Sequence, residues 1–71
     1  MANAMKLRGK IVEKGFTQEQ LSKAIGIHIS TLNRRLKTGE DFTIGQASKI
    51  AEILGLTKEE AFEIFFNHNV A

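Results

Sequence analysis

A chain of 71 residues, 42% of them hydrophobic, is one small domain near the lower size limit for a core that folds unaided. It contains neither Cys nor Pro, which excludes disulfide reinforcement and a cysteine-based metal site and leaves stability to helix packing. The net charge of +2 conceals an asymmetry: residues 1–39 balance at +6 and residues 40–71 at −4, and charge segregated in this way is an electrostatic clue to a nucleic-acid face.

No apolar run approaches the roughly 18 residues that span a bilayer, and no signal-peptide pattern stands at the start, so a cytoplasmic protein with no membrane partner is expected. Residues 1–4 are unlike the rest of the chain; they read as an expression remnant or disordered tail ahead of Met5, which puts the single domain at 5–71. Punctuation then sets the helix count. Gly15-Phe16-Thr17, Gly26-Ile27-His28 and Gly55-Leu56-Thr57 each place a helix-ending Gly, an apolar staple residue and an N-cap in succession, and Phe42-Thr43 repeats the last two after Gly39. Five helices are predicted, at about 4–14, 18–25, 29–37, 44–54 and 58–67, in an all-α fold without strand-period alternation.

The first helix offers Leu7 and Ile11 to the core, with Val12 beside them. Its cations Lys6, Arg8 and Lys10 either touch a nucleic-acid backbone or only solubilise the helix, and Arg8 and Lys10 are the candidates for phosphate contact. The second helix starts at the N-cap Thr17, with Gln20 placed to complete a capping box and Phe16 stapled to Leu21. Leu21, Ala24 and Ile25 share its inward face, and Gly26 ends it in the left-handed conformation.

The third helix begins near His28, which caps it or contacts a phosphate, and turns Leu32 and Leu36 inward. Ser30, Arg34 and Lys37 lie within roughly 60° of one another on the other side, flanked by Asn33 and Thr31. Such a face suits the major groove, where Arg pairs with guanine, Asn with adenine and Ser or Thr with several base edges. Gln18, opening the second helix, suits a phosphate.

In the fourth helix Thr43 and Gln46 repeat the capping box, Ile44, Ala47, Ile50, Ala51 and Leu54 face the core, and Phe42 plugs the preceding loop. In the fifth, Thr57 pairs with Glu60, and Glu59, Glu60 and Glu63 are charges favoured near a helix start. Ala61, Phe62, Ile64, Phe65 and Phe66 sweep about 200° of this helix, roughly twice what one buried stripe needs. Either Phe62, Phe65 and Phe66 form the interface of a symmetric homodimer, or the tail folds back and packs Val70 on Phe66. A dimer would set two reading helices about 34 Å apart on a palindromic site.

Thr17 to Lys37 resemble the helix-turn-helix of Cro and the phage repressors, the XRE type that includes small prophage regulators. The matching residues are Gln18 as first residue of the motif, a small residue at Ser22, Gly26 in the turn, Leu32, and Lys37-Thr38-Gly39 closing the reading helix. The resemblance implies a compact five-helix lambda-repressor-like domain, a backbone phosphate on Gln18, and base edges facing Ile29, Ser30 and Arg34. The chain departs from the pattern at three places. Ser22 stands where Ala is usual. Arg35 stands where an apolar core residue is usual, with Leu36 taking its place, which leaves open whether Arg34 or Arg35 points outward. Ile29 stands where polar readers are usual, and either meets a thymine methyl or tucks against the helix edge.

The candidate base readers are Ser30, Arg34, Asn33 and Ile29, and the candidate phosphate contacts Gln18, Thr31, Arg35, Lys37, Lys10 and Arg8. Double-stranded DNA is the expected partner, with a further protein partner conceivable at the Phe-rich fifth helix. No cofactor or metal is expected, since His28 and His68 stand far apart with no clustered ligands. Nor is catalysis, since Ser22, Ser30 and Ser48 have no His partner in reach and the chain is too small to enclose a typical ligand pocket. The function this predicts is sequence-specific regulation of transcription, as a repressor on a palindromic operator. The alternatives are a DNA-binding antitoxin that offers its Phe surface to a toxin, and a helical protein-interaction module without DNA binding.

Overall fold

Capping chemistry sets the boundaries of the helices in the computed structural model, which describes residues 3–66. The order is α1 (Ala4–Glu13), α2 (Gln18–Ile25), α3 (Ile29–Thr38), α4 (Ile44–Leu54) and α5 (Lys58–Phe65), with no strand among the described residues. Thr17, Thr43 and Thr57 each accept from the backbone N–H three residues on, and the side chains of Gln20, Gln46 and Glu60 each accept from the N-cap N–H in return. These reciprocal bonds satisfy donors that a helix start otherwise leaves unpaired. His28 resolves as a cap, its Nδ1 accepting from the Ser30 N–H at 3.1 Å. Gly26 closes α2 at φ 77°, a left-handed geometry that a side chain would strain, and so fixes the turn into α3.

Asn3 and Ala4, within the segment set apart from the domain in the sequence, are packed onto the fold. Asn3 caps α1 by accepting from the Lys6 N–H at 3.1 Å, and its own N–H donates to the Ile64 carbonyl at 2.6 Å.

The core is built from Leu7 and Ile11 of α1, Leu21 of α2, Leu32 and Leu36 of α3, Ala47, Ile50 and Leu54 of α4, and Ile64 and Phe65 of α5. Phe16, Ile25, Ile27 and Phe42 pack around it. Each fully buried Leu or Ile is worth about 1.5–3 kcal/mol of apolar transfer. Three expected core positions differ. Val12 and Ile44 are 76% and 78% exposed, because the α1 stripe is completed by Leu7 and Ile11 alone and Ile44 is the first helical residue of α4, ahead of its buried stripe. In α2 the inward side of Leu21 runs toward Ser22 and Ile25, so Ser22 is buried and Ala24 exposed. Its hydroxyl donates to the Glu19 carbonyl at 2.8 Å, and a small side chain suits a helix packed on both α3 and α4.

No helix among the described residues is long and apolar enough to cross a membrane.

Candidate nucleic-acid interface

With Leu32 and Leu36 buried, α3 turns Ser30, Asn33, Arg34 and Lys37 to solvent, and Ile29 and Thr31 lie half-buried at its edges. This settles the rotation of the helix. The Arg34 side chain is 56% exposed. Arg35 points the other way: its guanidinium carbon lies 5.3 Å from the Phe42 ring centroid and its Nη1 donates to Gln46 Oε1 at 2.7 Å. Its Nε is buried without a hydrogen-bond partner among the described residues. Arg35 thus stands apart from the outward row, its guanidinium held between an aromatic face and an amide where it braces α3 against α4.

Lys10 is engaged within the fold as well. Its ammonium is paired with Glu60 on α5 and with Glu13 at 3.4 Å, and a second pair, Lys6 with Glu63, ties the same two helices. The Lys10 hydrogen bond, followed by that from the Thr57 backbone, holds the Glu60 carboxyl down at about 2, and the same hydrogen bond to Glu60 raises Lys10.

Arg8 has the opposite fate. It shares an open cleft of about 260 Å³ with Gln18, Asn33, Leu36 and Lys37, so side chains from α1, the start of α2 and the outward face of α3 converge on one concavity. Thr17 takes up the Gln20 N–H, while the N–H groups of Gln18 and Glu19 have no intrahelical acceptor and carry the positive end of the helix dipole. Two cations, two amides and a helix start around one cleft are the chemistry that accepts an anionic oxygen.

At the start of α3, the Ser30 hydroxyl lies 2.8 Å from His28 Nδ1, the same nitrogen that caps the helix. The cap requires the Nδ1 lone pair, so the hydroxyl can share it as a donor and keep its own lone pairs for a base edge. Arg34 Nε donates to Glu40 Oε2 at 3.2 Å. Glu40 carries no signal of this role in the sequence, because it lies beyond the Gly39 turn, where only the backbone reversal folds it back on α3.

Phe65 is corrected too: it is 7% exposed and meets Phe42 edge-on with ring centroids 5.9 Å apart, so it belongs to the core and not to an outer interface. Phe62 and Phe66 stay 60% and 47% exposed with ring centroids 6.3 Å apart. Val70 and His68 lie outside the described residues.

These features together define a helix-turn-helix protein. A family model described as helix-turn-helix matches residues 6–60, and the chain belongs to this family, the Cro/C1 type of DNA-binding regulatory domain. Comparison with curated proteins and with solved structures finds no match.

Proposed function

We propose that this chain is a sequence-specific transcriptional regulator of the cytoplasm, a repressor that occupies a palindromic operator as a homodimer and excludes polymerase from it. The observation that carries this is the joining of two surfaces. The outward row Ser30, Asn33, Arg34 and Lys37 of α3 is continuous with the Arg8 and Gln18 cleft through Asn33 and Lys37.

In this reading α3 enters the major groove. Arg34 takes a guanine edge, Asn33 and Ser30 take neighbouring bases, and Ile29 flanks them. Gln18, Arg8 and Lys37 hold phosphates and fix the register, with Thr31 at the far edge. Pairing through Phe62 and Phe66 is supported by their exposure side by side on α5 and its C-cap. Catalysis has no part in this function.

Selection from a randomised duplex library at two salt concentrations tests it, run with the natural chain and with Arg34 and Lys37 both changed to Glu. Enrichment of an inverted repeat, abolished in the double variant, is expected. Binding without enrichment, or equal enrichment by both chains, would overturn it.

A further inference from the structure

The left-handed turn at Gly39, φ 74°, folds the chain back on the end of α3 and carries Glu40 to the outward arginine. Glu40 is anchored there from two sides. Its carboxylate accepts from Arg34 Nε at 3.2 Å, and its backbone N–H donates to Thr38 Oγ1 at 3.4 Å. The Thr38 hydroxyl has one proton to give and lies closer to the Arg34 carbonyl, at 2.9 Å, than to Glu40 Oε2, at 3.3 Å. Thr38 thus ties the residue bearing the carboxylate to the backbone of the residue bearing the guanidinium.

A guanidinium has two edges that can make paired hydrogen bonds, one with Nε and one with Nη1 and Nη2 together. Glu40 occupies the Nε side, which leaves the end-on edge to match the O6 and N7 acceptors of guanine. An arginine without such a tether samples many rotamers and is readily taken by a phosphate, a contact that carries no sequence information. A fixed carboxylate beside it also repels phosphates within the screening length.

We propose that Glu40 is a specificity-determining residue for DNA recognition, which orients Arg34 toward a base and lowers affinity for DNA of arbitrary sequence. The inference rests on the DNA-reading function proposed above.

The test uses Glu40→Ala and Glu40→Gln, each made in the natural chain and together with Arg34→Ala. Each is titrated with the selected duplex, with that duplex altered at one base pair at a time, and with a mixed-sequence duplex. Glu40→Ala is expected to reduce discrimination at one base pair by about two- to fivefold, the range an exposed ion pair supports, and to tighten binding to the mixed-sequence duplex. Glu40→Gln keeps an acceptor for Nε, so it is expected to preserve discrimination while still tightening mixed-sequence binding. In the Arg34→Ala background neither change should alter discrimination at any base pair. Discrimination unaffected by Glu40→Ala, or an effect that persists without Arg34, would overturn the role of Glu40 and leave DNA reading intact. A natural chain that binds no duplex would overturn both.

Discussion

Two helix pairs in this domain are fastened by the same device with different chemistry. In each, the third helical residue, which closes a capping box, also accepts a bond from a cation on another helix. Gln46 holds the start of α4 and receives Arg35 of α3, whereas Glu60 holds the start of α5 and receives Lys10 of α1. The fastener beside the reading helix is a neutral amide, so it leaves the charge of Arg35 uncancelled in the cationic half of the chain. The distal fastener is a full ion pair. The reading helix is thus braced against α4 by hydrogen bonding and an aromatic stack, whereas α1 and α5 are joined by ion pairs. The two regions meet where Phe42, stacked under Arg35, touches Phe65.

Removing that junction should break both regions at once. Phe65→Ala is expected to cost about 3–5 kcal/mol, as large-to-small changes at buried aromatics do. Thermal melting followed by circular dichroism should show a chain largely unfolded near room temperature, because a domain this small has little stability in reserve. A variant that melts normally but no longer self-associates would return Phe65 to an outer interface.

The α3 fastener separates next. Arg35→Ala should lower stability by about 1–2 kcal/mol through loss of the stack and the amide bond. The slope of log affinity against log salt should stay unchanged, because a brace releases no counterion. Were Arg35 a phosphate contact, the salt slope would fall by about one with stability intact. Thr57→Ala tests the distal cap alone and should cost about 1 kcal/mol in denaturant titration, with DNA affinity retained at temperatures where the variant is folded.

The smallest effect sharpens the contrast by pH. The Glu60 carboxyl is held at about 2, below its ordinary 4.5, chiefly by the Lys10 hydrogen bond. A depressed carboxyl pKa stabilises the fold in full above the unfolded value, and that contribution is lost as pH falls from about 4.5 toward 2. Glu60→Gln should flatten this acid limb in melting temperatures recorded between neutral and strongly acidic pH. Gln46→Ala should leave its shape unchanged, since an amide does not titrate.

Much of the fold was legible because helix capping is local. Threonine followed three residues later by Gln or Glu marked the starts of α2, α4 and α5, and glycine marked the ends of α2, α3 and α4. The site was legible where periodicity decided it: Leu32 and Leu36, four apart, turn inward, so Lys37 faces out, whereas the choice between Arg34 and Arg35 waited on the packing of Arg35 against Phe42 and Gln46. It was not legible where partners come from elsewhere in the chain. Nothing near Lys10 announces a carboxylate fifty residues away, nor anything near Arg35 that Phe42 and Gln46 would enclose it. An apolar sweep of α5 wider than one stripe says that some of it is exposed, but only packing against Phe42 shows that Phe65 is the buried part. Glu40 required the path of the Gly39 turn, which side-chain periodicity does not encode.

In the function proposed, the outward face of α3 and the Arg8 and Gln18 cleft together read DNA. Backbone amide shifts of the isotope-labelled chain, followed by nuclear magnetic resonance during titration with the library-selected duplex, test it most directly. The largest changes are expected at Gln18, Ser30, Asn33, Arg34 and Lys37, with Arg35 and the body of α4 little affected. Changes concentrated at Phe62 and Phe66, with α3 silent, would contradict it.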